Sequence, residues 1–331
     1  MDETTDGPPA RDRHLPVLLA TSVELLVPAL QEPGAIYVDA TLGMGGHAAA
    51  VLRAAPQAQL VGIDRDPQAL ELARRRLDGE GVGDRATLVH ATYDEIPDVL
   101  TELDLSGAHA VMMDLGLSSF QIDTTDRGFS YAADAPLDMR MDTASDGPTA
   151  ADLLRELPEA EISRILHDLG DERFARRIAR RIVQQRETAP LERSGELVAL
   201  LDRAIPGASK AGGGHPAKRT FQALRIAVNQ ELEILASALE SALDCLHVGG
   251  RIVVESYHSG EDRLVKTAFA RRTHSSAPPG LPVELDEHLP TFTPLVRGAL
   301  KADDAERDTN SRAASVRLRA LTRTRSARRG H

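Results

Sequence analysis

The sequence predicts an α/β fold in which a doubly wound parallel sheet is interrupted by an all-helical insertion. Short apolar runs alternate with helical segments over the first 122 residues, a rhythm typical of parallel sheets. Residues 123–216 then contain only short helical patterns. A buried apolar strand at 251–257 follows a long helix, so the sheet resumes after the insertion.

The first part of the sheet is predicted from strand, turn and helix signals in order. An apolar helix at 17–30 ends near Pro28. Helices are expected from about Gly46 and from Asp66, where Asp66 and Pro67 are typical of an N-cap and a first helical residue. The predicted strands are 35–41, 59–64, 86–91 and 110–115. Because the second and fourth strands end at acids, polar chemistry is expected at one edge of the sheet.

The insertion and the return to the sheet are predicted by helical periodicity. The expected helices are 149–157, 159–169, 172–186 and 194–205, followed by a long helix over 220–246 that Gly249 and Gly250 end. Strand 251–257 and an edge strand at 316–321 complete the sheet. The predicted division is a disordered N-terminus at 1–13, a sheet domain over 14–122 and 217–322, an insertion over 123–216 and a basic disordered tail at 323–331.

Composition limits the class of protein. The 331 residues are 42% apolar but contain no Trp, so the core is expected to be aliphatic. The single cysteine, Cys245, excludes an intramolecular disulfide and a cysteine-cluster metal site. The acidic N-terminus does not resemble a signal peptide, and no run reaches the ~18 apolar residues of a membrane span. We therefore expect a cytoplasmic protein that requires no metal and no membrane.

The charge distribution is uneven. The net charge is −11, yet seven arginines fall in the last twenty residues and another group lies within one predicted helix. The helical group consists of Arg173, Arg176, Arg177, Arg180, Arg181 and Arg186. Local basic surfaces on an acidic protein fit site-specific contact with RNA or DNA, although a solvated helix face would look the same.

A glycine cluster after the first strand predicts a ligand site. Residues 43–48 read G-M-G-G-H-A, and Asp64 ends the next strand. A glycine turn lets backbone N–H groups approach a ligand, and the acid can accept hydrogen bonds from ribose hydroxyls. The spacing is compatible with a dinucleotide, with S-adenosylmethionine or with a purely structural turn. Asp39 on the first strand favours S-adenosylmethionine, because a carboxylate suits a sulfonium and repels a pyrophosphate.

Three later segments add candidate site residues. Asp114 and Gln121 follow the fourth strand and can satisfy the polar edges of an adenine or a methionine moiety, although a serine-rich capped turn is the alternative. Lys218, Arg219 and Arg225 follow a glycine run, as in a phosphate-facing hinge or a plain linker. His258 at the exit of strand 251–257 is placed to touch substrate, or to serve as a structural histidine.

Seven motifs in one order carry a family resemblance. They are T-L-G-M-G-G-H, D-L-G-L-S-S-x-Q-I-D, R-G-F-S-Y, P-L-D-M-R-M-D, E-R-F-A-R-R-I-A-R-x-I, H-P-A-K-R-T-F-Q-A-L-R-I-x-V-N and S-Y-H-S-G-E-D-R. From about His14 to Arg319 the chain resembles the bacterial 16S ribosomal RNA cytosine-N4 methyltransferases (RsmH, formerly MraW). The resemblance implies a Rossmann-like S-adenosylmethionine-dependent enzyme that methylates N4 of a cytidine in the decoding region of small-subunit rRNA.

The resemblance also assigns site residues. The implied cofactor contacts are Gly45, Gly46, His47, Asp64, Tyr93, Asp114 and Gln121, with Tyr93 against the adenine. Leu42, Phe120 and Tyr93 depart from the residues common in the family, as does the stretch 310–315, which puts a tail contact to RNA in doubt.

The catalytic group is less defined by the sequence. Amino-methyltransferases commonly carry D-P-P-Y after strand four, whereas this chain has D-L-G-L at 114–117. We therefore expect an acceptor for the N4 proton at Asp114, or in the segments 138–142 and 258–262, where Asp138 and His258 are the candidates. The target base must be unstacked, so a structured particle is the expected substrate, held by Arg176, Arg177 and Arg180 of the insertion. A monomer and a homodimer both remain open.

Three other functions stay as alternatives. A DNA amino-methyltransferase would use the same chemistry, and a non-catalytic assembly factor would bind rRNA without turnover. An NAD-dependent dehydrogenase is allowed by G-x-G-x-x-A, but no hydride-transfer constellation is evident.

Overall fold

A seven-stranded sheet forms the centre of the protein in a computed structural model that describes residues 16–206, 215–278 and 285–326. The strands are β1 (Ile36–Asp39), β2 (Gln59–Asp64), β3 (Ala86–His90), β4 (Ala108–Asp114), β5 (Leu246–Ser256), β6 (Phe292–Pro294) and β7 (Arg317–Arg323). Their order is β3-β2-β1-β4-β5-β7-β6. The first five are parallel, and β7 runs antiparallel to both β5 and β6. The predicted α/β class with a Rossmann-like sheet is confirmed.

Helices cover both faces of the sheet and build the insertion. Those of the sheet part are α1 (Leu19–Leu26), α2 (Gly46–Ala54), α3 (Pro67–Gly79), α4 (Ile96–Glu102) and α5 (Ser119–Asp123). Those between strands β4 and β5 continue as α6 (Ala150–Glu156), α7 (Glu159–Gly170), α8 (Ala175–Arg186), α9 (Ser194–Ala204), α10 (Ala217–Asn229) and α11 (Glu231–Asp244). The last two are α12 (Ser259–Thr273) and α13 (Asp304–Thr309).

Side-chain alternation along the strands divides the sheet core into two layers. Tyr37, Met112 and Val253 point into one apolar cluster, which includes side chains of α2 and α3. Val38 and Val111 point into the opposite cluster, which includes side chains of α11 and α12. Because both faces are covered, the central strands β1, β2 and β4 are mostly apolar, and their acidic residues lie at the strand ends.

The helical insertion has an apolar core of its own. This third cluster draws on helices α6 to α9 and also on one face of α10, including Phe221, Leu224 and Val228. Within the described part of 123–216 no strand occurs, only an isolated bridge between Pro136 and Arg193. The expectation of a strand-free insertion agrees with this, while the predicted domain limits stay a prediction.

The predicted long helix over 220–246 is wrong in one respect. It is two helices, α10 and α11, which meet at Gln230 in the left-handed conformation (φ 51°). The apolar spacing continues through the break, so periodicity could not reveal it. Helix α11 ends at Asp244, and Gly249 and Gly250 lie within β5 rather than ending a helix.

The C-terminal part of the sheet also differs from expectation. The strand predicted at 316–321 is β7, which is not an edge strand because the three-residue β6 pairs with its free side. Helices α4, α5, α12 and α13 were not predicted. The expected disordered N-terminus, the glycine run before His215 and the last residues of the basic tail lie outside the described residues.

Candidate cofactor and catalytic site

A pocket opens at the carboxyl ends of β1, β2 and β4, where parallel sheets bind ligands. Its wall is built from the loops after these strands and after β3, together with residues of α3, the insertion, α11 and α12. The polar lining includes Thr41, Asp64, Arg65, Arg76, Thr92, Asp114, Ser118, Gln121, Glu231 and Glu261. The apolar lining includes Leu42, Met44, Tyr93, Leu115, Leu117, Met141 and Leu235. Polar groups thus frame a largely apolar cavity of the kind that small molecules occupy.

The glycine loop is shaped by backbone geometry and by close packing. Gly43 (φ 52°) and Gly45 (φ 74°) are left-handed, and Gly45 is the N-cap residue of α2. A Cβ atom on Gly46 would lie 2.5 Å from the Cγ atom of Pro16. Gly43 and Gly46 line the pocket, whereas Gly45 shapes the turn behind it.

Asp64 connects the glycine loop to the start of α3. Its Oδ2 atom accepts a hydrogen bond from the Gly43 N–H at 2.7 Å, and its Oδ1 atom accepts one from the Asp66 N–H at 2.9 Å. Burial raises the pKa of Asp64 to about 6, against the lowering effect of these two N–H groups. The carboxyl group lines the pocket, as its predicted role toward a ribose requires.

Asp39 lies under the pocket and is only 1% exposed. It accepts hydrogen bonds from the Tyr37 hydroxyl at 3.2 Å and from the Thr41 N–H at 3.3 Å. Burial raises the pKa of Asp39 to about 7. Asp39 was predicted to lie near the cationic end of the ligand. It does not line the pocket but lies behind Thr41, which does.

Asp114 presents a carboxyl group to the pocket from the end of β4. Its Oδ1 atom accepts a 2.7 Å hydrogen bond from the Tyr257 hydroxyl, and its backbone N–H donates to the Thr41 hydroxyl at 2.6 Å. Burial raises the pKa of Asp114. The side chain is still 30% exposed, so one oxygen remains available to a ligand.

His47 lies beside this carboxyl group. Its Nε2 atom is 3.2 Å from the Val17 carbonyl oxygen, and its Nδ1 atom is 3.8 Å from Asp114 Oδ2. Burial lowers the pKa of His47, so the ring is neutral at neutral pH. The neutral ring can bond to the Val17 carbonyl through Nε2–H, which leaves Nδ1 without a proton toward the pocket.

Glu261 is a pocket residue that lies within the predicted segment 258–262 but was not named as a candidate. Its Oε2 atom accepts hydrogen bonds from the N–H groups of Tyr257 at 2.7 Å and His258 at 3.1 Å. Burial acts to raise the pKa of Glu261, but His258 and the charge of Arg225 hold it below the usual value. The only sequence clue was its place three residues after His258, the spacing of a capping box.

Tyr93 and Gln121, both predicted to contact the cofactor, line the pocket. The Tyr93 hydroxyl donates to the Glu231 carbonyl oxygen at 3.3 Å, which leaves its ring as an apolar wall. The Gln121 side chain accepts from the Ser118 N–H at 3.1 Å and donates to Asp66 Oδ2 at 3.2 Å. Gln121 therefore also forms the capping box with Ser118 at the start of α5, which agrees with the capped turn considered as the alternative for this loop.

A buried ion pair, also missed, supports the loop. The Arg127 guanidinium contacts both oxygens of Asp66, at 2.5 and 3.2 Å, and the Met141 carbonyl oxygen at 3.2 Å. Arg127 belongs to the R-G-F-S-Y motif, which carried no role beyond the resemblance. The pair joins the N-cap of α3 to the chain that leads into the insertion.

The other two predicted catalytic residues do not line the pocket. Asp138 accepts three hydrogen bonds from Arg140, from Nε at 2.7 Å, Nη2 at 2.8 Å and the backbone N–H at 3.1 Å. The His258 ring is the N-cap of α12, where Nδ1 accepts from the Gly260 N–H at 3.2 Å and Nε2 lies 3.1 Å from Glu261. Both act on neighbouring protein groups here, as the structural alternative for His258 proposed.

The predicted RNA-binding cations separate into two sets. Arg176, Arg177 and Arg180 are exposed on α8, and Lys218 and Arg219 are exposed at the start of α10. Arg225 is different, because its Nε and Nη2 atoms bind the two oxygens of Glu231 at 2.8 and 2.7 Å. This nearly buried pair spans the break between α10 and α11, so the expectation of an exposed, phosphate-facing Arg225 is not met.

The model of the MraW methylase family matches residues 11–324. The chain belongs to this family. It is 59% identical over 316 residues to the ribosomal RNA small subunit methyltransferase H of Leifsonia xyli, covering 96% of both chains. It is 57% identical over 322 residues to the enzyme of the same name from Saccharopolyspora erythraea, covering 97% of both. A solved rRNA methylase of Streptococcus thermophilus aligns over 94% of this chain and 99% of its own, with 11% identity and a TM-score of 0.44.

Family membership confirms the resemblance, the methyltransferase class and S-adenosylmethionine as the cofactor. It also disfavours the dehydrogenase alternative, which rested on the glycine spacing alone. In the described ranges, no three His, Cys, Asp or Glu side chains group in a way that could hold a metal ion. None of the helices described is both long enough and apolar enough to cross a membrane.

Proposed function

We propose that this protein transfers the methyl group of S-adenosylmethionine to the exocyclic N4 atom of a cytidine in the decoding region of 16S rRNA, within the small ribosomal subunit. The observation that supports it most is the pocket at the ends of β1, β2 and β4. There Asp64 follows the second strand and Asp114 the fourth, beside a left-handed glycine loop. The high identity to relatives named for small-subunit rRNA methylation supports the substrate class.

The residues present fit the cofactor. Asp64, Asp114 and Glu261 place acidic groups around a cavity whose cationic lining residues are Arg65 and Arg76. Acidic groups suit an amino group and a sulfonium, and the ring of Tyr93 offers an apolar face for an adenine. The crowding around Gly46 keeps the loop free of side chains where a ligand approaches. When bound, S-adenosylmethionine supplies a methyl group activated by the positive sulfur.

Each pocket residue then has a defined task. Asp64 accepts hydrogen bonds from the ribose hydroxyls while it holds the Gly43 N–H in place. Asp114 accepts a proton from the cytosine amino group, which favours the tetrahedral nitrogen of the transition state. Asp138 and His258 are positioning residues in this proposal, because their side chains bind Arg140 and the start of α12.

The exposed cations of the insertion hold the RNA. Arg176, Arg177 and Arg180 share one side of α8, and Lys218 and Arg219 begin α10. Such residues bind phosphates without reading bases, so they account for affinity rather than for the choice of nucleotide. Two other functions are compatible with a methyl-donor pocket and an exposed basic helix, namely that of a DNA amino-methyltransferase and that of a non-catalytic assembly factor.

The experiment is transfer of labelled methyl from S-adenosylmethionine to small subunits that lack base modifications, with naked rRNA and duplex DNA in parallel. Nucleoside mass analysis should find N4-methylcytidine on the subunit alone. Methylation of duplex DNA instead, or cofactor binding without transfer to any RNA, would contradict the proposal.

Two variants separate the two halves of the site. Asp64→Asn should weaken cofactor binding about tenfold to a hundredfold, because hydrogen bonds to a charged acceptor contribute about 1.5–3 kcal/mol. The double variant Arg176→Glu and Arg177→Glu should bind the cofactor normally but raise the KM for subunits. If the arginine variant lost cofactor affinity as well, the assignment of α8 to RNA would be wrong.

A further inference from the structure

Behind the pocket, four polar side chains form a continuous buried chain. The Tyr257 hydroxyl lies 2.7 Å from Asp114 Oδ1 and 3.3 Å from Glu255 Oε2. The Ser22 hydroxyl donates to the other oxygen of Glu255 at 2.7 Å. Asp114 is partly open to the pocket, whereas Glu255 is 0% exposed. Two carboxyl groups are thus joined through one phenol.

Counting hydrogens assigns a proton to Glu255. The Tyr257 hydroxyl has a single hydrogen, and the shorter contact indicates that it is donated to Asp114. The contact between Tyr257 and Glu255 is then a hydrogen bond only if Glu255 carries a hydrogen and donates it to the phenol oxygen. The Ser22 hydroxyl donates to the remaining carboxyl oxygen, which leaves Oε2 as the protonated one.

The surroundings agree with a neutral Glu255. The groups that face this cluster are His47 from α2, Tyr37 from β1, Asp114 from β4 and Glu306 from α13. His47 is neutral because burial lowers its pKa, and the rest are acidic or uncharged. Burial, with the charge of Asp114, raises the pKa of Glu255 well above its usual value. A buried carboxyl group of this kind stays protonated at neutral pH.

Asp114 differs from Glu255 in exposure, because its side chain is 30% exposed at the pocket. Its own neighbours are His47, Tyr257 and, through space, Glu261 from α12 and Asp39 from β1. Burial raises the pKa of Asp114, and His47 and the hydrogen bond from the Tyr257 hydroxyl oppose that rise. Oδ1 is occupied by the phenol, so Oδ2 is the oxygen directed to the pocket side, 3.8 Å from His47 Nδ1.

We infer that Glu255 and Tyr257 are positioning residues for the methyl transfer. Protonated Glu255 donates a hydrogen bond to the Tyr257 oxygen, and the Tyr257 hydroxyl donates one to Asp114. These two hydrogen bonds keep Asp114 ionised, with its Oδ2 atom directed at the substrate amino group. In the reaction the N4–carbon bond forms, the sulfur–carbon bond breaks with its electron pair left on sulfur, and one N4 proton moves to Asp114 Oδ2. The Glu255 proton stays where it is. This inference rests on the proposed methyl transfer.

The first test follows single-turnover methylation of small subunits across pH. Tyr257→Phe removes the hydrogen-bond donor to Asp114, so the acidic limb of the pH–rate profile should move to higher pH by about one unit. The methylation rate should then be about tenfold slower than wild type at pH values below the limb and equal to wild type at pH values above it. Glu255→Gln keeps a neutral donor and should leave the limb in place. Tyr131→Phe, in a ring that stacks on His215 outside the pocket lining, is the matched control and should not move the limb.

A second test needs no substrate or cofactor. The infrared spectrum of the free protein in D2O at neutral pH should show the C=O stretch of a protonated carboxyl group that Glu255→Gln removes and Tyr257→Phe shifts in frequency. An unchanged band in Glu255→Gln, or a Tyr257→Phe limb that coincides with the wild type, would overturn the inference. Because the spectrum is independent of activity, failure of the rRNA assay alone would count against the proposed function. It would not count against the hydrogen bonds that join Glu255, Tyr257 and Asp114.

Discussion

Asp39 is a carboxyl group buried among uncharged and acidic neighbours. Burial is the largest effect on its pKa, followed by the Thr41 N–H and the charge of Asp114, and the result is a pKa of about 7. A carboxyl group whose pKa is raised on folding is protonated in the folded chain but ionised in the unfolded chain between the two pKa values. Its contribution to stability is therefore complete at low pH and lost as the pH rises from about 4 to about 7.

Replacing Asp39 by Asn should remove that pH dependence. An amide can accept from the Thr41 N–H as Asp39 does and can donate to the Tyr37 oxygen, which keeps the contact to Tyr37 with the direction of its hydrogen bond reversed. The free energy of unfolding of Asp39→Asn, relative to wild type, should rise by about 2 kcal/mol between pH 5 and pH 8. Urea unfolding at the two pH values measures it.

A surface carboxyl group is the control for this comparison. The hydrogen bonds of Asp134 to Arg193 and Gly195 hold its pKa below the usual range, so it stays ionised over the same interval. Asp134→Asn should thus change stability equally at both pH values. A relative stability of Asp39→Asn that falls toward pH 8 would show that Asp39 is ionised in the fold.

At the scale of elements, the break between α10 and α11 organises one side of the pocket. Gln230 takes the left-handed conformation, and Glu231, the first residue of α11, lines the pocket while it binds Arg225. The Asn229 amide donates to the Met139 carbonyl oxygen at 2.7 Å and accepts from the Met141 N–H at 2.8 Å. The break therefore turns the chain, so that α10 packs in the core of the insertion and α11 packs against the sheet.

Substitutions at Gln230 should change stability in opposite directions. The residue is exposed, and side chains with a Cβ atom are strained at φ 51°. Gln230→Gly should raise the free energy of unfolding by about 0.5–1 kcal/mol, and Gln230→Val, with a β-branched side chain, should lower it by about 1 kcal/mol. Chemical denaturation of both variants tests this. A stabilising valine would mean that α10 and α11 can join without the left-handed residue.

On the scale of the whole molecule, one buried ion pair connects the two parts of the fold. Arg127 is 5% exposed and Asp66 0% exposed. Arg127 also reaches Gln68 at 2.8 Å on α3 and the Met141 carbonyl oxygen, and it lies 5.1 Å from the centre of the Phe120 ring. The N-cap of α3 and the entry to the insertion are thus held by a single guanidinium.

Removing Arg127 should destabilise the protein strongly. Arg127→Met leaves the buried Asp66 carboxyl group without its cation, which costs about 3–5 kcal/mol in comparable sites. Adding Asp66→Asn should recover part of the loss, because the two residues form one unit. Urea unfolding followed by circular dichroism measures the cycle.

An exposed ion pair, Arg53 with Glu80, gives the loss of stability expected without burial. Arg53, 57% exposed, binds Glu80, and Arg53→Met should cost less than about 1 kcal/mol. Additive losses in the Arg127 and Asp66 double variant would mean that the pair does not couple the two parts of the fold.

Local patterns in the sequence were enough for most elements of the sheet. Strand β2 was predicted with the limits it has in the structure, and α3 begins after Asp66 as its N-cap and proline predicted. The reason is that N-caps, proline and apolar periodicity act between residues close in sequence. Asp64, Asp114 and Gln121 could be named as pocket residues because the carboxyl ends of neighbouring parallel strands meet at one edge, whereas Tyr93 was implied only by the family resemblance.

Contacts between distant residues decided the rest. Glu255 and Tyr257 reach Asp114 only because β5 pairs with β4, and Arg127 meets Asp66 only when the insertion docks on α3. Arg225 is basic in any local pattern, yet Glu231 removes it from the exposed surface. The sequence by itself determined the fold class and the family and predicted most of the pocket residues named above, since these depend on local signals. The tertiary structure decided which charged groups are buried and which groups are hydrogen-bonded to them, because burial and partners are properties of the packed chain.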